Sequence, residues 1–354
     1  MIRNSLGWNT RIEQLWQRHP DFAREQIARV LSSNRNHAQV QTETGEISAT
    51  IPPLGSQLTE YPVPGDWCVV KGKNPLETST RILDILSRRA CIRRKRVGAA
   101  SEPQTLAANV DTALVLTARS DDFKWNRLDR YLTMILSEGV QAIICLTKSD
   151  LDPDPEKTES IVQAAFPNVP TLTLSVRENS GMDRLRPYLV TGQTSTLLGS
   201  SGVGKSTLTN WLLGYERRAT QQLRVGGTKG RHTTSNGRMF QTLDMGWIID
   251  LPGIREIEPW NAQTGLEENF SDISRLAQQC RYRNCRHRHE DGCAVLQAVE
   301  NGILSERTLN NYERLQREQE HQERQEDRRS AAKQKRREKS ISKLLRKRIR
   351  AKQN

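Results

Sequence analysis

Over the middle of the chain, apolar residues switch between two periods. Asp111–Ala118 is a continuous apolar run of strand length, and the segment after it repeats Trp125, Leu128, Leu132, Ile135 and Leu136 at helical spacing. Gln141–Thr147, Pro170–Ser175 and Thr194–Gly199 are further apolar runs, each preceded by a helical stretch, and Phe240–Leu243 with Met245–Asp250 closes the series. Both-face-apolar strands alternating with amphipathic helices predict a mainly parallel sheet covered on both sides.

The pattern before this region is different. Ala38–Gln41, Glu46–Ile51, Trp67–Lys71 and Arg81–Leu86 are short β-like runs separated by turns at Thr44-Gly45-Glu46 and Pro64-Gly65-Asp66. They predict a small closed barrel of the oligonucleotide-binding type, with a plain β-sandwich as the alternative on strand count. Residues 1–30, with Leu15, Trp16, Phe22, Ile27 and Val30 as apolar positions, read as a partly helical arm. Beyond Pro259 the strands stop, and helical stretches are expected at Leu266–Leu276, Ala294–Asn301 and Ser305–Arg317. From Gln319 the chain is Gln, Glu, Arg and Lys with too few apolar residues to bury a core, so it reads as a solvated helix or a disordered arm. The expected organisation is therefore an N-terminal arm (1–27), an OB-fold barrel (28–96), a central α/β domain (97–258), a mainly helical domain (259–318) and a basic tail (319–354).

Charge sharpens this picture. The net charge of the 354-residue chain is +13, and residues 314–354, with 16 basic and 6 acidic side chains, carry +10 of it. A polyanionic partner is the expectation. No run approaches the roughly 18 consecutive apolar residues of a membrane span, and the first thirty residues lack the apolar stretch of a secretory leader, so a cytoplasmic protein is expected. Three of the six cysteines fall within residues 280–293, a cluster that in a reducing compartment reads as metal ligation rather than disulfides.

The chemistry is concentrated in four places. Gly199-Ser200-Ser201-Gly202-Val203-Gly204-Lys205-Ser206 follows an apolar strand and precedes a helix that takes in Thr207. That is the P-loop pattern in its required setting: backbone N–H groups and a helix N-terminus face phosphate, Lys205 neutralises its oxygens and Ser206 is a magnesium ligand. Asp250-Leu251-Pro252-Gly253 ends a strand, so that Asp250 can hold magnesium through water and the Gly253 N–H can meet the γ-phosphate. Between the two, the Gly-rich segment 226–234 ends in hydroxyls and suits a switch loop.

Thr147-Lys148-Ser149-Asp150 also ends a strand. A carboxylate there accepts hydrogen bonds from guanine N1–H and its exocyclic amine, which adenine does not offer, while the stem of Lys148 packs on the base; Ser175 falls at the loop expected to contact the guanine oxygen. The order is unusual, because the base-reading motif precedes the P-loop. Parallel neighbouring strands make the same site from either order, and here the second switch runs straight into the Cys/His region, a covalent route for nucleotide state to reach it. In that region Cys280, Cys285, His287 and Cys293 form a Cys₃His set suited to a structural tetrahedral zinc, with His289 as the competing imidazole. Arg281, Arg283, Arg286 and Arg288 interleave with the ligands and Tyr282 adds a stacking surface, a combination suited to RNA phosphates.

With these parts in this order, the chain resembles the circularly permuted small ribosomal subunit biogenesis GTPases of the RsgA type over about residues 28–317. The resemblance implies an OB barrel, a GTPase domain and a zinc domain, with GTP hydrolysis to GDP stimulated by the small subunit during its late maturation. It gives His232 the role of a switch-loop histidine tied to hydrolysis, consistent with Ile254 following Gly253 where a water-orienting Gln stands in other GTPases. Slow intrinsic turnover is expected, with the ribosome moving His232 into place. Thr234 is the second magnesium hydroxyl, with Thr233 as the alternative. Three departures stand out: Thr147 replaces the commoner Asn and should weaken the contact between the base-reading strand and the P-loop, Leu251 replaces a usual Thr, and the tail is unusually basic. A monomer binding GTP, magnesium, one zinc and ribosomal RNA is expected, with no membrane association. The rival reading is a nucleotide-regulated RNA-binding module with little turnover; an ATP-using enzyme is a weaker third.

Overall fold

The structure, a computed structural model, describes residues 6–22, 25–56, 58–71, 80–95, 103–119, 123–214, 237–242, 246–251, 263–321 and 323–324. The chain divides into two units, one made of residues 1–96 and 103–260 and the other of residues 97–102 and 261–354.

The first unit opens with helix α1 (Thr10–Gln17), whose N-cap Asn9 accepts a hydrogen bond from the Ile12 N–H and which buries Ile12 and Trp16. Five strands then close a barrel in the order β1-β2-β3-β5-β4: β1 (Gln26–Ser33), β2 (His37–Thr42), β3 (Gly45–Thr50), β4 (Trp67–Val70) and β5 (Thr80–Ile85). Only the β3–β5 pair is parallel. This is the expected OB-type barrel, so the sandwich alternative falls. Its first strand corrects the reading of residues 1–30, since Ile27 and Val30 lie on β1 and not on a helical arm. The reason is physical. Ala28 and Val30 point into the barrel with Cys68 and Val70, whereas Ile27 and Leu31 join Trp67 and Val69 in a second apolar cluster outside it. A strand buried on both faces shows no polar alternation and mimics other apolar segments.

A hairpin of β6 (Cys91–Lys95) and β7 (Pro103–Ala108), not anticipated from the sequence, leads to the six-stranded sheet β10-β9-β8-β11-β13-β12. Its strands are β8 (Thr112–Ala118), β9 (Gln141–Thr147), β10 (Thr171–Leu174), β11 (Thr194–Gly199), β12 (Arg238–Gln241) and β13 (Trp247–Asp250), all parallel except the antiparallel edge strand β12. One face carries Leu114, Ile143, Leu172, Leu197 and Ile248 against α4 (Met182–Leu185) and α5 (Lys205–Leu213). The other carries Val115, Ile144, Leu198, Met239 and Ile249, and helix α2 (Trp125–Ser137) covers it together with α3 (Pro155–Ala165), α1 and the outer wall of the barrel.

Arg29, on β1 between Ile27 and Leu31, is 2% exposed inside this apolar seam. Its Nη1 donates to the Leu6 carbonyl, its Nη2 donates to Thr194 Oγ1 at 2.7 Å, and the guanidinium lies 5.2 Å from the centre of the Trp67 ring. Burial, partly offset by Asp111 and Asp66, brings its pKa down to about 10, so the group stays charged at neutral pH and fastens the barrel to the first residue of β11.

The second unit is helical: α6 (Gln263–Asn269), α7 (Ser271–Ala277), α8 (Ala294–Glu300) and α9 (306–321). The single stretch expected at Leu266–Leu276 is two helices, and Phe270 at the junction packs edge-on to Tyr312 with ring centres 5.5 Å apart. Leu266, Ile273, Val295, Leu304 and Leu309 complete the core.

Replacing Arg29 by Met keeps the volume but removes both donors. The expected outcome is a loss of about 2–3 kcal/mol, the scale of hydrogen bonds from a charged donor, read as a lower midpoint in urea unfolding. Lys should not restore it, because an ammonium lacks the planar fork that reaches both acceptors.

Candidate nucleotide and metal sites

The parallel strands β8, β9, β10, β11 and β13 end at Ala118, Thr147, Leu174, Gly199 and Asp250, so the segments that follow them emerge along one edge of the sheet. Chain order runs from β8 outward to β10 and then returns to β11 beside β8, which makes the β8/β11 junction the switch point where ligands of open α/β sheets bind.

The P-loop motif leaves β11 through Gly199 at φ +149°, where an added Cβ would stand 2.5 Å from the Leu116 carbonyl oxygen. Glycine is required there by space as well as by conformation. Gly202 and Gly204 also lie at positive φ, and the chain then enters α5 at Lys205. Lys205 Nζ donates to the carbonyls of Gly199 and Ser200 at 2.6 and 2.5 Å, so the ammonium is folded over its own loop. Partial burial lowers its pKa and the Asp250 carboxylate raises it, which places Asp250 within electrostatic reach of the loop. Ser200 and Ser201 belong to the loop, Val203 is buried beneath it, and Ser206 and Thr207 stand exposed in the first turn of α5.

At the end of β9 the Thr147 hydroxyl lies 2.6 Å from the Val203 carbonyl and 3.1 Å from that of Thr117. Its single proton serves these two acceptors and joins the end of β9 directly to the loop that follows β11. Threonine makes this contact through Oγ1. Lys148 adopts the left-handed conformation at φ +58°, and Ser149–Leu151 form one 3₁₀ turn that turns the chain back. Asp150 Oδ1 accepts a hydrogen bond from Ser175 Oγ at 2.7 Å, and Arg177 Nη1 lies 3.9 Å from Oδ2. Ser175 thus braces the carboxylate, a partnership that the spacing of the two residues in the sequence does not reveal. His232, Thr233, Thr234 and Gly253 lie outside the described residues.

In the second unit, the donor atoms of Cys280, Cys285, His287 and Cys293 lie within 4.8 Å of one another. His287 Nδ1 is 3.4 Å from Cys293 Sγ and 3.7 Å from Cys280 Sγ, with His287 at φ +60° turning the imidazole inward. His289 is not part of the group. Glu290 shapes the loop by accepting the N–H groups of Arg288, Arg286 and His289, which together hold its carboxyl down to about 2. Desolvation and the neighbouring thiols push Cys285 up to about 12, a repulsion that a bound cation reverses. Three soft donors and one imidazole in this arrangement fit a metal ion.

A family model described as RsgA GTPase matches residues 85–260, and one described as 50S ribosome-binding GTPase matches residues 194–328. The small ribosomal subunit biogenesis GTPase RsgA of Methanosarcina acetivorans is 38% identical over 312 residues, covering 88% of this chain and 84% of the relative. The chain belongs to the RsgA GTPase family. A second RsgA relative, from Opitutus terrae, is 37% identical over 335 residues and covers 90% of both chains. Among solved structures, YjeQ from Thermotoga maritima superposes with a TM-score of 0.60 at 25% identity, over 81% of this chain and 96% of that one. YloQ, described as a circularly permuted GTPase, shares the fold with a TM-score of 0.58 at 24% identity, over 88% of this chain and 98% of that one. The chain shares that circularly permuted GTPase fold.

Replacing Thr147 by Val removes the hydroxyl while keeping the shape and leaves the Val203 carbonyl without this donor. The expected loss is about 1–2 kcal/mol, read by urea unfolding, and Ser at the same position should retain most of it.

Proposed function

We propose that this chain is a GTP hydrolase of small ribosomal subunit biogenesis that holds one GTP along the sheet edge, engages the maturing subunit through its RNA and departs after hydrolysis. The observation that carries the reading is the Thr147 Oγ1 to Val203 hydrogen bond, which sets a base-reading motif beside a phosphate loop in an RsgA-family chain.

In this reading Asp150, braced by Ser175, accepts the guanine N1–H and amine, while Lys148 packs along the base. The N–H groups of Gly199–Ser206 and the first turn of α5 face the phosphates, and Lys205 exchanges its two carbonyl partners for phosphate oxygens. Ser206, Asp250 and Thr234 would hold magnesium, which supplies charge neutralisation at the β- and γ-phosphates when bound. Water attacks the γ-phosphorus and the bond to the β–γ bridging oxygen breaks, giving GDP and phosphate. Positioning and electrostatics carry this step, since the protein need form no covalent bond. His232 is the group assigned to orient the water, because an apolar Ile254 after Gly253 has no hydrogen-bonding atom on its side chain.

Cys280, Cys285, His287 and Cys293 would hold one structural zinc, which fixes the loop that carries Arg281, Arg283, Arg286 and Arg288. Those guanidinium groups and the basic tail suit ribosomal RNA phosphates, and the factor acts in the cytoplasm as a monomer.

The test is GTP hydrolysis with and without purified small subunits. Slow turnover alone and acceleration of at least about tenfold by the subunit are expected, modest beside the roughly 10³- to 10⁵-fold supplied in trans to other GTPases. Turnover that the subunit leaves unchanged contradicts the reading.

A further inference from the structure

Beyond Asp150 and Ser175, the base-side loop has a second attachment. Ser175 and Ser180 exchange backbone hydrogen bonds of 3.0 and 2.9 Å and pinch residues 175–180 into a closed turn. Within it Ser175 Oγ donates to Asp150 and accepts from the Glu178 N–H at 3.2 Å, so the orientation of the Asp150 carboxylate depends on the shape of the turn. Asn179, at φ +51°, presents Oδ1 to the indole N–H of Trp211 at 3.0 Å.

Trp211 lies on α5, the helix that begins at Lys205. Its half-buried ring packs on the same apolar cluster as Val176 of the turn, beside Leu208 and Leu212 of its own helix. From Lys205 to Trp211 is six residues, about 9 Å of rigid helix axis at 1.5 Å per residue. One end of α5 thus carries the phosphate-loop lysine and the other fastens the turn that braces Asp150.

We propose that Trp211 is a positioning residue for guanine recognition: its indole N–H holds Asn179, and with it the turn that keeps Ser175 on the Asp150 carboxylate. The proposal rests on the guanine-site reading above. The contact is local and partly solvent-exposed, so its loss loosens the carboxylate and leaves it in place. The consequence falls on the exocyclic amine of guanine, whose hydrogen bond depends on the angle of that carboxylate.

The experiment is titration of the full chain with GDP and with inosine diphosphate, which lacks the amine. For Trp211→Phe the preference for GDP over inosine diphosphate is expected to fall about threefold to tenfold, the range that one hydrogen bond brings. Asn179→Ala should show the same fall, the double variant no more than either single one, and Asn179→Asp, which still accepts the indole proton, should keep the preference. A Trp211→Phe chain with lowered thermal stability but unaltered preference overturns the proposal, as does an additive fall in the double variant. An unmodified chain that binds no guanine nucleotide removes the underlying reading and the proposal with it, an outcome distinct from the other two.

Discussion

The site depends on a single hydroxyl. Thr147 ends one strand, Val203 lies in a loop that leaves another, and between those strands in the sheet stands β8, whose Thr117 carbonyl shares the same hydroxyl. Three strand ends are drawn together at one buried point, between the turn that carries Asp150 and the loop that leads to Lys205. On one side of that contact Asp150 is braced by Ser175, and on the other Gly199, Gly202 and Gly204 let the backbone wrap.

Seen from this contact, the permuted order of the chain costs nothing at the site. A parallel sheet aligns strand ends by register, and register is indifferent to which strand is made first: β9 pairs with β8, and β8 with β11, through unbroken ladders. The order does alter how the sheet is covered. Part of the face bearing Met239 and Ile249 is closed by α1 and the barrel wall, and the apolar residues of barrel and sheet merge into one core. Arg29 is the polar fastening inside that core, and its acceptor Thr194 begins the strand that ends in the phosphate loop. The barrel is therefore a structural part of the GTPase sheet as well as a candidate RNA-binding surface.

Much of this was legible in the sequence because local patterns carried it. Continuous apolar runs gave the parallel strands, glycine spacing and Lys205 gave the turn from β11 into α5, and cysteine spacing gave the group that could hold a metal ion, with His287 in place of His289. What escaped reading depends on partners distant in sequence. β1 is apolar on both faces because barrel interior and sheet compete for it, so its period vanished. The acceptor of the Thr147 hydroxyl lies 56 residues away along the chain. Trp211 and Asn179, 32 residues apart, belong to no motif at all.

The central claim is that Asp150 and Lys205 grip the two ends of one nucleotide. A crystal structure of the full chain with GDP tests it most directly. The account requires one GDP molecule with guanine N1 and its amine within hydrogen-bonding distance of Asp150, and with β-phosphate oxygens in the loop from Gly199 to Ser206 beside Lys205. A GDP whose base lies away from Asp150 while its phosphates occupy that loop, or whose phosphates lie elsewhere, would contradict it.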